Sequence, residues 1–155
     1  MKIYIALGSN LGDRNAYLDR AVLEVAKTPG ISGLKMSPVY ETRPVGGPEG
    51  QENYLNAVME IQTELAAREI LNLLLKVEKG LGRERSVKNA PRTIDLDLIF
   101  YGDQVIEDRG LSIPHPRLHE REFVLRPLAD LAPDFMHPVL KQSVRHLLTS
   151  IEQRA

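Results

Sequence analysis

Between residues 3 and 101 the hydrophobic residues of this chain alternate between two spacings. Segments 3–7 and 54–62 place them at every second residue, which indicates strands with one face toward a core. Segments 13–27 and 66–79 place them at every third or fourth residue, which indicates helices. Two further strands are predicted at 34–42 and 93–101. The predicted order is strand, helix, strand, strand, helix, strand.

This order predicts an α+β fold. It fits a ferredoxin-like two-layer sandwich, in which a mainly antiparallel sheet carries its helices on one face. Asp13 is a candidate N-cap, and Gly80 and Gly82 end the second helix. Prolines are frequent after residue 113, so only short helices are predicted there, at 121–130 and 142–152. With 155 residues, of which 43% are hydrophobic, we expect a single domain over residues 1–155.

Charge and cysteine content exclude several function classes. The 20 basic and 21 acidic residues leave a net charge of −1, which argues against a surface that coats nucleic acid. The chain has no cysteine, which excludes disulfides, thiolate metal sites and cysteine nucleophiles. No apolar run approaches the roughly 18 residues of a membrane-spanning helix. We therefore expect a cytoplasmic enzyme that binds neither nucleic acid nor membrane and confines any anion site to one place.

Two carboxylates mark the last predicted strand. Because side chains alternate along a strand, Asp95 and Asp97 share one face, about 7 Å apart, while Ile94, Leu96 and Leu98 occupy the other. Such a pair repels itself unless a cation lies between, and Mg²⁺ commonly combines one or two carboxylates with water and phosphate oxygens. The pair is therefore a candidate metal site. The alternative is the solvated face of an edge strand.

A basic segment precedes this strand in a chain of almost neutral charge. It contains Arg83, Arg85, Lys88 and Arg92. Guanidinium groups pair bidentately with phosphate oxygens and neutralise the charge that develops during phosphoryl transfer. Together with the two carboxylates, the segment predicts a site for a Mg²⁺-bound polyphosphate. Taken alone, it is more simply a solvated loop neutralised by Glu84.

The histidines and the first glycine give weaker signals. His115 lies between two prolines, and this stiff backbone favours presentation of its ring to a nucleotide, although a surface turn is the alternative. His115 and His119 are four residues apart, but Pro116 opposes a continuous helix and no third ligand is evident, so zinc is disfavoured. The turn that begins at Gly8 is placed to hold a ligand and is also structurally common. No Walker phosphate loop is present.

Residues 88–99, which read KNAPRTIDLDLI, resemble the signature of the 6-hydroxymethyl-7,8-dihydropterin pyrophosphokinase family of folate biosynthesis. The resemblance covers nearly the whole chain, through IALGSNLG at 5–12, SPVYET at 37–42, YLNA at 54–57 and IPH at 113–115. It implies transfer of the pyrophosphoryl group of ATP to the hydroxymethyl oxygen of the pterin, which gives AMP and the pterin diphosphate. ATP and the hydroxymethyl dihydropterin are then the substrates, and two Mg²⁺ ions are the expected cofactors.

The resemblance also implies roles for individual residues. Metal binding falls to Asp95 and Asp97, which are joined in catalysis by Arg83 and Arg92. The implied ATP site consists of Glu78, Arg83, Arg85, Arg92, Leu98, Ser112, His115 and Arg121. The pterin, stacked between two aromatic rings, is implied to contact Gly8, Thr42, Pro44, Val45, Tyr54, Asn56 and Phe123. Without the resemblance, Tyr54 and Phe123 are more simply core residues.

The chain departs from the family pattern at a few positions. Leu75 stands where a polar nucleotide contact can occur, and Pro116 replaces a residue that is aromatic in some relatives. Gly110 puts Arg109 one place from the expected nucleotide-contacting arginine. No tryptophan precedes the signature, where some relatives carry one. These departures weaken single contacts and leave the resemblance intact. Loops 8–15, 44–52 and 83–90 are expected to close over the site as lids.

Two other function classes remain open from the sequence. A non-catalytic ferredoxin-like module that binds RNA or another anion through the basic segment predicts metal-independent binding and no nucleotide turnover. A different Mg²⁺-dependent nucleotidyl or phosphoryl transferase shares the two aspartates and lacks the pterin site. The reaction products distinguish the three classes, because only pyrophosphoryl transfer to the pterin releases AMP together with pterin diphosphate. Protein partners are not indicated by the sequence.

Overall fold

The computed structural model describes residues 1–43, 50–82 and 93–154. Five strands form one antiparallel sheet, namely β1 (Lys2–Ser9), β2 (Ile31–Met36), β3 (Tyr40–Thr42), β4 (Tyr54–Thr63) and β5 (Asp95–Tyr101). The order across the sheet is β2-β4-β1-β5, and β3 also pairs with β4. The four segments predicted as strands therefore all contribute to a single sheet, with β1 near its centre.

Four α-helices accompany the sheet, and each begins within two residues of its predicted start. They are α1 (Arg14–Ala26), α2 (Ala67–Gly80), α3 (Glu122–Leu131) and α4 (Val144–Gln153). The Asp13 carboxylate accepts a hydrogen bond from the N–H of Ala16 at 3.2 Å, so Asp13 is the N-cap of α1, as predicted. None of the helices in the described residues is long and apolar enough to cross a membrane.

One face of the sheet is covered by α1 and α2. Ile3, Ile5 and Leu7 of β1 point to this face and are buried in a core with aliphatic residues of both helices, among them Leu18 and Leu74. Full burial of one such aliphatic side chain stabilises the fold by about 1.5–3 kcal/mol. The predicted α+β class, with helices packed on a mainly antiparallel sheet, is confirmed.

The opposite face is covered as well, by α3 and α4. Tyr4 and Ala6, which alternate with the residues of the first core, are buried in a second core with Val58, Phe100 and Leu125. The expectation that all helices lie on one face is therefore wrong, and the C-terminal helices add a further layer. The physical reason is that β1 is hydrophobic on both faces, so each face needs a cover.

The predicted strand over residues 34–42 is interrupted. The segment forms the end of β2 and the whole of β3, with a break at residues 37–39, which include Ser37 and Pro38. Proline has no N–H to donate to a neighbouring strand. Ser37 compensates, because its N–H donates to the carbonyl of Val58 and its hydroxyl accepts the N–H of Val58, both at 2.9 Å. The break leaves β3 as a short separate strand that carries Thr42.

A small hairpin after β5 was not predicted. It consists of β6 (Ile106–Asp108) and β7 (Leu111–Ile113), and each strand is too short to show a hydrophobic period. A one-turn 3₁₀ helix, Leu118–Glu120, follows and precedes α3. Between β7 and this turn, the N–H of His115 donates to the carbonyl of Ile99 at 3.2 Å. This bond places His115 beside β5.

Candidate active site

Asp95 and Asp97 lie on the same face of β5. Both are half-buried, whereas Leu96 between them is buried in the core against α1 and α2. In the pairing of β5 with β1, Asp97 lies opposite Ala6 and Asp95 opposite Gly8. Ala6 belongs to the second core, beneath α3 and α4. The two carboxylates therefore point to the face that carries α3, where the predicted alternation places them together.

A row of paired residues connects Asp95 with the predicted pterin site. Gly8 pairs with Asp95 on one side and with Asn56 on the other, and Asn56 pairs with Tyr40 of β3. Directly paired residues of antiparallel strands present their side chains on the same face. Because neighbouring strands are about 4.8 Å apart, Asp95 and Asn56 are separated by about 10 Å. Gly8, which has no side chain, is the residue between them in this row.

Gly8 leaves room for two side chains of β4. A Cβ atom at this position would lie 3.2 Å from Oδ1 of Asn56 and 3.4 Å from Cδ1 of Tyr54. Asn56 also donates a hydrogen bond from Nδ2 to Oγ1 of Thr42. Thr42 in turn pairs with Tyr54 between β3 and β4. Four residues predicted for pterin binding thus form one continuous surface.

A cleft of about 360 Å³ lies between β3 and the start of α3. It is lined by Tyr40, Glu41, Thr42, Glu122, Phe123, Arg126 and Pro127. Phe123 lies in the first turn of α3 and packs partly into the second core, and the guanidinium carbon of Arg121 lies 5.8 Å from the centre of its ring. The hydroxyl of Tyr40 donates to Oδ2 of Asp130 and joins the two walls. The cleft therefore brings the predicted pterin residues Thr42 and Phe123 together.

His115 is uncharged at neutral pH. Burial, together with the nearby charges of Arg121 and Arg117, lowers the pKa of its ring to about 4, although Asp95 acts in the opposite direction. Nδ1 accepts a hydrogen bond from the N–H of Arg117 at 3.3 Å. In a neutral ring with Nδ1 as acceptor, the proton is on Nε2. His115 is thus a hydrogen-bond donor through Nε2, close enough to Asp95 and Arg121 to respond to their charges.

Three residues predicted for the ATP site do not join this surface. The side chain of Leu98 is buried in the core against α1 and α2, on the face opposite the aspartates. The hydroxyl of Ser112 donates to Oε1 of Glu107 at 2.6 Å, within the hairpin. Glu78 in the last turn of α2 is 2% exposed, and its Oε2 accepts the N–H of Leu96 at 2.7 Å. The placement of these side chains does not support one shared pocket with the aspartates.

Two polar residues at the end of β1 were noted in the sequence only as part of the turn that begins at Gly8 and were given no role of their own. Ser9 and Asn10 are almost completely buried. The Ser9 hydroxyl donates to the carbonyl of Thr93 at 2.6 Å, and Nδ2 of Asn10 donates to Oε1 of Gln51 at 2.9 Å and to the carbonyl of Glu52 at 3.2 Å. They connect β1 to the segments that lead into β4 and β5. The available signal was a pair of small polar residues directly after a hydrophobic strand.

The remaining predicted residues lie outside the described residues, and they are Pro44, Val45, Arg83, Arg85 and Arg92. Their roles stay predictions, as does closure of the loops that contain them. Three of the positions that depart from the family pattern are solvent-exposed, namely Leu75, Arg109 and Pro116.

The two aspartates fit a metal ion that takes ligands from its substrate. Within residues 1–43, 50–82 and 93–154, no group of three or more histidine, cysteine or acidic side chains is placed to hold a metal. Mg²⁺ does not require such a group, because it commonly uses one or two carboxylates and completes its octahedron with water and phosphate oxygens. Asp95 and Asp97 provide the carboxylate oxygens that this arrangement needs.

Comparisons with known proteins identify the same family that the sequence resembles. A family model described as 7,8-dihydro-6-hydroxymethylpterin-pyrophosphokinase (HPPK) matches residues 4–133. The 2-amino-4-hydroxy-6-hydroxymethyldihydropteridine pyrophosphokinase of Bacillus subtilis (strain 168) is 47% identical over 128 residues, which cover 83% of this chain and 76% of the relative. The protein of the same name from Aquifex aeolicus (strain VF5) is 38% identical over 143 residues, which cover 92% and 88%.

Longer relatives contain a similar region. The folic acid synthesis protein fol1 of Pneumocystis carinii is 44% identical over 142 residues, which cover 92% of this chain and 19% of that protein. A crystal structure of a Plasmodium falciparum HPPK-DHPS triple mutant matches with a TM-score of 0.78 at 18% identity. The match covers 99% of this chain and 44% of the solved chain, so this chain spans less than half of its length. At this identity the likeness shows the fold.

Proposed function

Because the chain belongs to the 7,8-dihydro-6-hydroxymethylpterin-pyrophosphokinase family and is thus a pyrophosphokinase of folate biosynthesis, we propose that the sheet face bearing Asp95 and Asp97 carries out the transfer. The hydroxymethyl oxygen of the dihydropterin attacks the β-phosphorus of ATP. The bond from that phosphorus to the α,β-bridging oxygen breaks, and the hydroxymethyl proton is released. The products are AMP and the pterin diphosphate.

The row formed by Asp95, Gly8 and Asn56 is the observation that carries this proposal. It separates a candidate metal ligand from a candidate pterin ligand by about 10 Å, with no side chain between them. The β- and γ-phosphates of ATP and the hydroxymethyl arm of the pterin fit within a span of this size. The two substrates then meet above Gly8, with the nucleotide toward β5 and the pterin toward β3.

The pterin half of the site combines flat rings with directed polar groups. Tyr54 and Phe123 offer aromatic faces, and a stacked aromatic pair is worth about 0.5–1.5 kcal/mol beyond its buried area. Because Asn56 donates to Thr42 through Nδ2, its Oδ1 is left directed over Gly8, where it can accept from the amino or ring N–H groups of a pterin. The backbone of Pro44 and Val45 is proposed to complete this polar edge.

The nucleotide half of the site rests on charge neutralisation. We assign two Mg²⁺ ions to Asp95 and Asp97, with water and phosphate oxygens as the other ligands. Held by these two carboxylates, Mg²⁺ would supply positive charge that neutralises the phosphates of ATP and favours attack on the β-phosphorus. Arg83, Arg85 and Arg92 are proposed to pair with the phosphate oxygens, because guanidinium groups match them bidentately.

His115 and Arg121 complete the triphosphate site. Arg121 brings a permanent positive charge, and His115 donates from Nε2 without a change in protonation. A ring whose pKa is about 4 is a poor base at neutral pH, so His115 does not remove the hydroxymethyl proton. Catalysis therefore comes from alignment of the two substrates and stabilisation of developing charge. Leu98 and Ser112 stay proposed contacts of the nucleotide through their backbone groups, because their side chains do not join this surface.

Residues 1–155 are proposed to form one pyrophosphokinase domain that acts in the cytoplasm on small molecules. The test is to incubate the protein with ATP, Mg²⁺ and 6-hydroxymethyl-7,8-dihydropterin, with a control that lacks the pterin. We expect AMP and pterin diphosphate in equal amounts, and neither in the control. Release of ADP would indicate a different phosphoryl transferase. Binding of RNA without any nucleotide turnover would indicate the non-catalytic module.

A further inference from the structure

Glu78 places a buried carboxylate behind the strand that carries the two aspartates. It lies in the last turn of α2, and its Oε2 accepts the backbone N–H of Leu96 at 2.7 Å. Leu96 is the residue between Asp95 and Asp97. The peptide group that joins Asp95 to Leu96 is therefore held from the interior by a charge-assisted hydrogen bond, which is stronger than a bond between neutral groups.

This bond lies on the side of β5 that faces away from β1. Within the described sheet, β5 is the last strand and pairs with β1 on one side. Backbone groups of an antiparallel strand point alternately to its two sides, and Leu96 directs its N–H away from β1 toward Glu78. The edge of a sheet otherwise presents unpaired N–H groups. One carboxylate oxygen of α2 thus takes the place of a further strand.

The position is unfavourable for a carboxylate in two respects. Removal of a carboxylate from water is costly, and the C-terminal end of a helix carries a negative partial charge that repels it. Nearby residues of the same helix end, Leu74, Val77 and Leu81, are buried and apolar. Methionine or leucine at position 78 avoids both penalties while filling the space. Packing alone therefore does not account for Glu78, and its bond to Leu96 connects it to the strand that carries Asp95 and Asp97.

We propose that Glu78 is a positioning residue for metal binding. Through Leu96 its carboxylate sets the direction and spacing of Asp95 and Asp97. This role rests on the proposed function of those aspartates, and it replaces the direct nucleotide contact expected for Glu78 from the sequence. Loss of a hydrogen-bonded neighbour that orients metal ligands typically weakens metal affinity or activity about 10–100-fold. A change of that size is expected when the bond to Leu96 is lost.

Two variants separate the hydrogen bond from the volume of the side chain. Glu78→Gln keeps an oxygen acceptor of the same shape, whereas Glu78→Met keeps the length and removes the acceptor. In the protein without metal or nucleotide, the Leu96 amide is followed by hydrogen exchange and by its ¹H–¹⁵N resonance. We expect slow exchange in the wild type and in Glu78→Gln, and exchange faster by roughly 10-fold or more in Glu78→Met.

The kinetic measurement is the Mg²⁺ dependence of AMP release. Glu78→Met is expected to raise the Mg²⁺ concentration for half-maximal rate about 10–100-fold with an unchanged pterin KM, and Glu78→Gln to stay close to the wild type. Glu60→Met serves as the matched control, because Glu60 on β4 is another buried carboxylate. It accepts a hydrogen bond of 2.8 Å from the Tyr4 hydroxyl. This control is expected to lower thermal stability and leave the Mg²⁺ dependence unchanged.

The proposal is overturned if the Leu96 amide exchanges as slowly in Glu78→Met as in the wild type. It is also overturned if that amide exchanges faster while the Mg²⁺ dependence stays unchanged. Equal loss of ATP affinity in both variants also overturns it, since that result indicates direct nucleotide contact. If Glu78→Met does not fold, Glu78→Gln decides: retained amide protection with a strongly shifted Mg²⁺ dependence contradicts positioning, and retention of both supports it. Full turnover by Asp97→Ala instead refutes the metal site itself, while the amide result stands independently.

Discussion

Substitution of Gly8 by alanine is expected to weaken pterin binding without disturbing the fold. Gly8 is absent from the described glycines with positive φ, so alanine adopts its backbone conformation readily. The added methyl group lies 3.2 Å from Oδ1 of Asn56 and 3.4 Å from Cδ1 of Tyr54. The contact with Asn56 is too close, so the amide has to move by a few tenths of an ångström. That movement displaces the proposed acceptor of the pterin N–H groups.

The magnitude follows from the two contacts that are disturbed. A hydrogen bond of this kind contributes about 1 kcal/mol net. A stacked aromatic pair contributes about 0.5–1.5 kcal/mol, of which a small shift of Tyr54 loses a part. Together the loss is about 1–2 kcal/mol, which corresponds to pterin binding that is weaker by about 5–30-fold. The nucleotide half of the site, on the other side of Gly8, is expected to keep its affinity.

The assay is a fluorescence titration of the pterin in the presence of a non-hydrolysable ATP analogue, together with KM for ATP and the thermal midpoint. Gly80→Ala is the matched control, because a Cβ atom there meets nothing within 4 Å. The control is expected to bind the pterin normally. An unchanged pterin Kd in Gly8→Ala, or an equal loss of pterin and ATP affinity, refutes the idea that Gly8 provides clearance for Asn56 and Tyr54.

Three further outcomes are expected. Asp97→Ala abolishes AMP release at an unchanged thermal midpoint, because one of two carboxylates on the nucleotide side is lost; normal Mg²⁺-dependent turnover contradicts this. Tyr40→Phe removes the hydroxyl that joins β3 to Asp130 of α3, so the pterin KM rises about 2–10-fold with kcat nearly unchanged, and equal KM values reject the clamp. The pKa of His115 is lowered from 6.5 to about 4, so the unfolded chain binds a proton between these pH values and the folded chain does not. Its contribution to stability is complete above pH 6.5 and is lost as the pH falls toward 4; urea unfolding of His115→Gln must show a shallower decline over this range.

The longest elements of the fold were predictable because their hydrophobic period extends over many residues. The helical spacing of Ile70, Leu74 and Val77 locates α2 almost to its ends. The layer formed by α3 and α4 was missed although a signal was present. Tyr4 and Ala6 leave β1 without a polar face, and a strand that is hydrophobic on both sides needs two covers. The alternation of Ile3, Ile5 and Leu7 was interpreted as a single hydrophobic face, and the hydrophobic character of Tyr4 and Ala6 on the other face was not used.

The site was predictable only where a local rule applies. Alternation along one strand is enough to place Asp95 and Asp97 on one face. The clearance at Gly8 depends on the register between β1 and β4, and the bond from Glu78 to Leu96 depends on how α2 docks beside β5. Both involve residues distant in sequence, whose proximity no local pattern encodes. The same alternation also places Leu98 on the opposite face, where it is buried in the core against α1 and α2.

The two cores of this protein differ in how mutations near them are expected to affect the proposed reaction. The layer of α1 and α2 packs on the face away from the proposed chemistry, and its outer surface carries exposed apolar residues such as Leu23, which is 66% exposed. Substitutions that raise thermal stability or solubility can therefore be made on that outer surface, provided that Glu78 is kept. The other core supports the substrate-facing side, so substitutions that raise stability there are expected to lower the turnover rate.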